Sequence, residues 1–186
     1  MIKKIVIFIL FILSTNIFSQ DKKKLFIEYI SMNSLSISKN TESHFSKFSK
    51  EEDSNKKGFG FDLNTIHGAR FFGYVSISAG ISIDYNVNKS FLSTPYIVDL
   101  RVYSNKTLDN CLFAYLQTGK NIKWSDSFDG NGTSSKLGVG GIFELNDKIS
   151  YYIDIFKKSK VIYLNSNLEK GNYTITGYGI SIGIVF

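Results

Sequence analysis

The chain has 186 residues, a formal net charge of +6, 16 phenylalanines and 11 tyrosines, but a single proline. Abundant aromatic residues exclude an intrinsically disordered protein, and the basic excess is spread along the chain rather than clustered as in nucleic-acid-binding proteins. Cys111 is the only cysteine, which excludes an intramolecular disulfide, and we expect it to be a packing residue.

The first residues have the pattern of a secretory signal. Lys3 and Lys4 form a basic start, residues 5–13 are all apolar, and residues 14–20 are mostly small or polar. We predict a signal peptide over 1–19 and one domain over 20–186, whose charge is +4 once Lys3 and Lys4 are removed. A buried N-terminal helix is the less favoured alternative, because nothing amphipathic accompanies the apolar run.

The rest of the chain alternates between apolar and small or polar residues, which is the pattern of β-strands. Between Val75 and Tyr85, for example, apolar side chains occupy every odd position, while serine, glycine and aspartate occupy the even ones. We predict eight strands, at about 25–37, 57–71, 74–87, 95–104, 110–124, 135–146, 149–163 and 173–186.

The connections between these segments alternate in length. Those at 38–56, 88–94, 125–134 and 164–172 are long, whereas those at 72–73, 105–109 and 147–148 are short. Outer-membrane barrels have this asymmetry, with short periplasmic turns and long outer loops. The sequence therefore predicts an all-β, eight-stranded antiparallel up-and-down transmembrane β-barrel in the outer membrane of a Gram-negative bacterium.

The composition of the two strand faces indicates which one points inward. Opposite the apolar face lie small residues, which suit the narrow interior of an eight-stranded barrel. Examples are Gly138, Gly140, Gly177, Gly179, Gly183, Ser76, Ser78 and Ser82. A continuous apolar face fits lipid better than water. The alternative is a secreted, lipocalin-like binding barrel, in which the apolar face would line a calyx.

Several charged residues fall on the inward face and should form a structural polar network, because an unpaired charge in a narrow interior is costly. They are Asp62, Arg70, Asp84, Asp99, Arg101, Glu144 and Asp154. Arg70 and Arg101 are the expected hubs, since a guanidinium can bind two carboxylates. We expect Asp84 to be the partner of Arg101 in preference to Asp99, and the network to close the barrel to solutes.

Aromatic residues near the predicted strand ends fit the interfacial girdles of membrane barrels. They are Tyr29, Phe71, Phe72, Tyr74, Tyr85, Tyr103, Tyr151, Tyr163, Tyr173 and Phe186.

Five stretches together resemble the small outer-membrane barrels of the OmpA/OmpX type, a porin-family type of barrel. They are 58–63, 68–71, 79–85, 95–101 and 180–186. The closing strand is similar to the signal that the barrel-assembly machinery reads in that family; its residues are Tyr178, Ile180, Ile182, Ile184 and Phe186. The resemblance implies outer-membrane lipid and this machinery as partners. It also implies roles from envelope support and adhesion to solute passage.

Residues suited to chemistry are few. The only histidines are His67, expected on the outward face, and His44, near Glu42 and two serines in the first outer loop. We therefore expect no catalytic site, no cofactor and no metal. The favoured function is a structural or surface-interaction role, with loops 38–56 and 125–134 contacting a partner. A small-solute pore, which would conduct in planar bilayers, and a lipid-modifying enzyme are the alternatives.

Overall fold

A computed structural model describes residues 26–47, 50–53, 58–87, 91–122, 131–146, 149–165 and 170–186. The predicted signal peptide, 1–19, lies outside these residues. No helix within the described ranges is long and apolar enough to cross a membrane.

Ten antiparallel strands make up the described structure, and eight of them close into a barrel. They are β1 (Ile27–Lys47), β2 (Lys50–Asp53), β3 (Gly58–Phe71), β4 (Val75–Asn86), β5 (Phe91–Ser93), β6 (Pro95–Tyr103), β7 (Cys111–Asn121), β8 (Gly132–Asn146), β9 (Ile149–Asn165) and β10 (Lys170–Val185). The order around the barrel is β1, β3, β4, β6, β7, β8, β9 and β10, and β10 pairs with β1 to close it. The short strands β2 and β5 pair with the loop-end segments of β1 and β4. The predicted eight-stranded up-and-down architecture is confirmed.

The two ends of the barrel differ. At the turn end, residues 72–74 join β3 to β4. Phe72 and Gly73 have φ angles of 54° and 75°, and the Tyr74 N–H donates a hydrogen bond of 3.0 Å to the Phe71 carbonyl, as in a tight hairpin turn. Phe186 also lies at this end, where it exchanges backbone hydrogen bonds with Ser31. At the opposite end, which we call the loop end, lie the connections that the sequence predicts to be long.

The predicted loop 38–56 is wrong over its first half. Strand β1 continues to Lys47, because the backbone of this polar segment pairs with β10, as in Lys47 with Gly171, and then with β2. Likewise, β8 begins at Gly132, inside the predicted loop 125–134. Backbone pairing does not depend on apolar side chains, so the strands extend beyond the apolar pattern. Residues 48–49, 54–57 and 123–130 of these loops lie outside the described residues.

Strand stagger sets the width of the interior. Following paired residues once around the barrel from Lys39 on β1 leads back to Tyr29 on the same strand, ten residues nearer the turn end. Eight strands with such a stagger tilt by about 35–45° and leave room for little more than side chains. Aromatic rings pack against the inward-facing glycines, which have no side chain in the way. A Cβ at Gly138, for example, would lie 2.5 Å from the ring of Tyr115.

The apolar face points outward, as predicted. Leu63, Ile81, Leu116, Ile155 and Ile182 are each about half exposed, and they lie on five different strands of the barrel. The small and charged residues of the other face are buried. A calyx lined by the apolar face therefore does not describe this barrel.

Exposed aromatic residues lie towards both ends of the apolar surface. Tyr29, Phe72, Tyr74, Tyr151 and Phe186 are at the turn end, and Phe59, Phe61, Tyr85, Tyr96 and Tyr163 are towards the loop end. The prediction that Tyr103 belongs to a girdle is wrong. It points into the barrel, is 5% exposed, and its hydroxyl lies 3.0 Å from that of Ser76.

A compact apolar cluster fills the barrel near the turn end. Its aliphatic members are Ile30, Met32, Ile66, Ile97, Ile142 and Val185. Cys111 belongs to the same cluster and is buried, so its predicted packing role is confirmed.

Candidate functional site: the polar interior

Above the apolar cluster, the interior has one acidic wall. Asp62 on β3 and Asp84 on β4 are paired directly across the two strands, and both are buried. Like charges in this position repel each other. The acidic wall therefore requires cations from elsewhere in the barrel.

Those cations come from the opposite, basic wall. Lys136 on β8 pairs directly with Lys158 on β9, and Lys160 lies two residues farther along the same face. Lys136 Nζ lies 2.9 Å from Asp62 Oδ2, and Lys158 Nζ lies 3.3 Å from Asp62 Oδ1. Lys160 Nζ lies 3.0 Å from Asp84 Oδ2. In the strand order, β3 is diametrically opposite β8, and β4 is opposite β9, so these ion pairs cross the lumen.

Neutral groups complete this cross-lumen layer. Lys160 also contacts the hydroxyl of Ser93, and the hydroxyl of Ser82 donates a hydrogen bond to Asp84. Lys136 Nζ lies 4.8 Å from the centroid of the Phe156 ring. The layer thus combines three ammonium groups, two carboxylates and their polar neighbours, all buried inside the barrel.

Arg101 forms a second layer. Its Nε and Nη2 donate hydrogen bonds to the two carboxylate oxygens of Asp99, at 2.8 and 3.2 Å, and Gln117 Nε2 donates to Asp99 at 3.3 Å. The guanidinium carbon lies 4.5 Å from the ring centroid of Tyr115 and 5.0 Å from that of Phe113. A planar, weakly hydrated cation is well suited to this fork and to stacking on aromatic faces.

Asp154 lies beside this layer and is held by hydroxyl groups. Tyr115 and Ser181 each donate a hydrogen bond of 3.0 Å to its Oδ1. The hydroxyl of Ser36 donates in turn to that of Ser181 at 3.0 Å. These contacts connect β7, β9, β10 and β1, so the network holds strands that are not all neighbours in the barrel wall.

Arg70 lies at the turn end of the interior. It pairs with Glu28 on the adjacent strand, where its Nε donates at 3.0 Å, and its Nη2 donates to the backbone oxygen of Lys106 at 3.1 Å. Its guanidinium carbon lies 5.7 Å from the ring centroid of Tyr103. The arginine therefore joins the barrel wall to the turn that follows β6.

Most of the sequence-predicted interior residues are buried, but the structure divides them into separate groups. Asp62 and Asp84 join the cross-lumen layer, Asp99 joins Arg101, and Arg70 joins Glu28. Asp84 is therefore the wrong partner for Arg101. The register explains why: Arg101 pairs with Ser76, eight residues along β4 from Asp84, whereas Asp99 is two residues away on the same face.

The prediction that Glu144 belongs to the buried network is also wrong, because its side chain is exposed. It lies next to a register shift between β8 and β9 at the turn end of the barrel. The three lysines of the basic wall were missed by the sequence analysis. Their position parity was the available signal, since Lys158 and Lys160 share the inward parity of Asp154, and Lys136 shares that of Gly138.

The remaining candidates lie apart from the interior. His67 is exposed on the outer surface, where its Nδ1 lies 2.7 Å from the Tyr29 hydroxyl. The side chain of His44 is outside the described part of the structure. Among the described residues, no group of three or more His, Cys, Asp or Glu side chains could hold a metal ion. The predicted closing-strand signal, Tyr178, Ile180, Ile182, Ile184 and Phe186, lies entirely on the exposed outer face.

No family model and no curated protein matches this chain. Several solved structures are similar, and three of them are small or designed membrane β-barrels or surface proteins. A de novo designed transmembrane β-barrel has 15% identity and a TM-score of 0.43, over 84% of this chain and 93% of the other. Neisserial surface protein A has 12% identity and a TM-score of 0.44, over 84% and 97%. The outer membrane protein AlkL in lipid bilayers has 11% identity and a TM-score of 0.48, over 90% and 94%.

Proposed function

We propose that this protein is an outer-membrane β-barrel with a closed interior and a non-enzymatic role. The role is structural, or it is an interaction with a partner at the loop end. The observation that carries the proposal is the outward apolar surface. It extends around the barrel, and exposed aromatic side chains lie towards both of its ends. In water such a surface is an aggregation hazard, whereas lipid covers it without a penalty.

Strand length supports the same proposal. A tilted transmembrane strand needs about 9–11 residues. The shortest barrel strand, β6, has 9 residues, and β4 and β7 have 12 and 11. A closed barrel also leaves no unpaired sheet edge, so every strand can cross lipid with its backbone hydrogen bonds satisfied.

The filled interior favours this role over a small-solute pore. Ion pairs cross the lumen between β3 and β8 and between β4 and β9, and an apolar cluster fills the barrel below them. The OmpA/OmpX-type resemblance, with its implied roles in envelope support and adhesion, agrees with a barrel of this kind. In this proposal the loop end faces outward and the turn end faces the periplasm.

A pair of arginine substitutions tests membrane insertion. Ile81→Arg puts a charge on the outward face of β4 within the apolar belt, and we expect it to reduce the free energy of folding into lipid by about 2–4 kcal/mol. Leu92→Arg is the matched control at the loop end, where the cost should be about 0–1 kcal/mol. Folding is measured as heat-modifiable gel mobility after urea titration in lipid vesicles. Equal effects of the two substitutions would contradict a lipid-facing surface.

A further inference from the structure

One side of the outer surface departs from the apolar belt. On β7, β8 and β9 the outward residues Thr118, Ser135 and Ser159 form a row of paired hydroxyl-bearing residues. Lys157 lies two residues below Ser159 and Lys120 two residues above Thr118. On β4 the outward residues towards the loop end are instead apolar or aromatic, such as Ile83 and Tyr85. The barrel therefore has on β7, β8 and β9 a polar, basic patch that is absent from β4.

A small cleft of about 210 Å³ lies within this patch. Its upper rim contains Ser135, Ser159 and Lys157, and its lower wall contains Leu116 and Leu137. Lys157 Nζ lies 5.8 Å from the ring centroid of Tyr178 on the next strand, and Lys157 also lines the cleft. The cleft thus offers hydroxyls and a cation on one side and aliphatic groups on the other.

A second, apolar groove of about 670 Å³ lies directly below on the same strands. Its apolar outward side chains are Leu112, Ala114, Val139, Ile153 and Ile155, together with Val102 on the neighbouring strand β6. The small Ala114 side chain, between Leu112 and Leu116 on β7, leaves a recess in an otherwise bulky aliphatic surface. The groove adjoins the cleft, because Ile155 of the groove and Lys157 of the cleft are successive outward residues of β9.

We infer that these two cavities form a binding site for a phosphorylated lipid of the surrounding leaflet. The phosphate binds Lys157, Lys120 and the hydroxyls of the cleft, while an acyl chain lies in the groove over Ala114. No carboxylate is found among the described outward-facing residues around the cleft, and the exposed Glu144 of β8 lies at the turn end, away from the patch. The patch itself therefore has only positive charge. Lysine attracts lipid phosphates near the membrane surface, and apolar burial adds the affinity of the chain.

The inference rests on the proposed function, because the site is useful only if the loop end lies at the level of lipid headgroups. It deepens that function by naming a lipid class that the barrel selects. In the outer leaflet of an outer membrane, the lipid with phosphates on a multiply acylated core is lipid A, which is therefore the probe for the test.

The test uses the mature protein folded in detergent micelles and measures binding of diphosphorylated lipid A by native mass spectrometry. We expect Lys120→Gln combined with Lys157→Gln to raise the Kd about 25-fold, from about fivefold per lysine. Ala114→Leu, which fills the groove, should raise it about tenfold. Lipid A without phosphates should bind the wild type as weakly as diphosphorylated lipid A binds the double variant.

Two controls match these changes at other places. Lys106→Gln removes a lysine at the turn end, and Ala79→Leu enlarges an outward alanine on β4; both should leave the Kd unchanged. An unchanged Kd in the double variant, or an equal loss in Lys106→Gln, would overturn the inference. If the wild type does not enter micelles and vesicles at all, the proposed function fails. If it inserts but does not prefer the phosphorylated lipid, only the inference fails.

Discussion

Replacement of Asp62 with asparagine is expected to destabilise the barrel by about 3–5 kcal/mol. Asp62 is 1% exposed and is the carboxylate that faces both Lys136 and Lys158. Without its charge, two paired ammonium groups remain in the basic wall with no carboxylate at that position. The free energy of unfolding, measured by urea titration with heat-modifiable gel mobility, should fall accordingly.

Adding Lys136→Met to Asp62→Asn should recover part of this loss, because one stranded ammonium group is then removed. Asp109→Asn is the control, since it removes an exposed carboxylate in a turn and should change stability by less than about 0.5 kcal/mol. If Asp62→Asn behaves like Asp109→Asn, the ion pairs that cross the lumen do not stabilise the barrel.

Replacement of Arg101 with alanine should cost a similar amount, about 3–5 kcal/mol. The change leaves Asp99 buried without its cation and removes the group that packs on Phe113 and Tyr115. Arg101→Lys should fall between the wild type and the alanine variant, because lysine keeps the charge but cannot form the planar fork. The midpoint temperature of the heat-modifiable gel shift measures this series.

The partner of Arg101 is tested by two double variants. Asp99→Asn should recover part of the stability lost in Arg101→Ala, because the stranded carboxylate becomes neutral. Asp84→Asn should recover none, because Asp84 pairs with Lys160 on the far wall. Recovery with Asp84→Asn and none with Asp99→Asn would contradict the arrangement of the two layers.

Much of the fold could be predicted from the alternation of residues. The odd positions of 75–85 are apolar and point outward, and the even positions are small and point inward. This pattern is strong because each face of a strand in a narrow barrel meets only one environment, either lipid or a crowded lumen. The strand count, the direction of the faces and the burial of Arg70, Asp99 and Arg101 follow from it.

The strand ends and the ion-pair partners could not be predicted in the same way. Residues 38–47 are polar except for Phe45 and extend β1 through backbone pairing, which leaves no mark in side-chain alternation. The partner of a buried charge depends on strand stagger, which brings Lys160 across the lumen to Asp84. Long lysine side chains also place their charge far from their own strand, so sequence neighbours are a poor guide to contacts.

The barrel has two surfaces, one inside and one outside, with different roles. Inside, paired charges and an apolar cluster fill the barrel and fix the strands relative to one another. Outside, the apolar belt is proposed to meet lipid, and the basic patch on β7, β8 and β9 is inferred to add a preference for one lipid class. A partner that binds at the loop end would contact the predicted loops 38–56 and 125–134.

The outer face of the barrel is proposed to be solvated by lipid. The most direct measurement compares folding of the purified chain, without residues 1–19, in detergent-free buffer and in lipid vesicles, by circular dichroism and heat-modifiable gel mobility. We expect the protein to aggregate or remain unfolded in buffer and to become a heat-modifiable β-barrel with vesicles. A folded monomer in detergent-free buffer would contradict an outer face that is solvated by lipid.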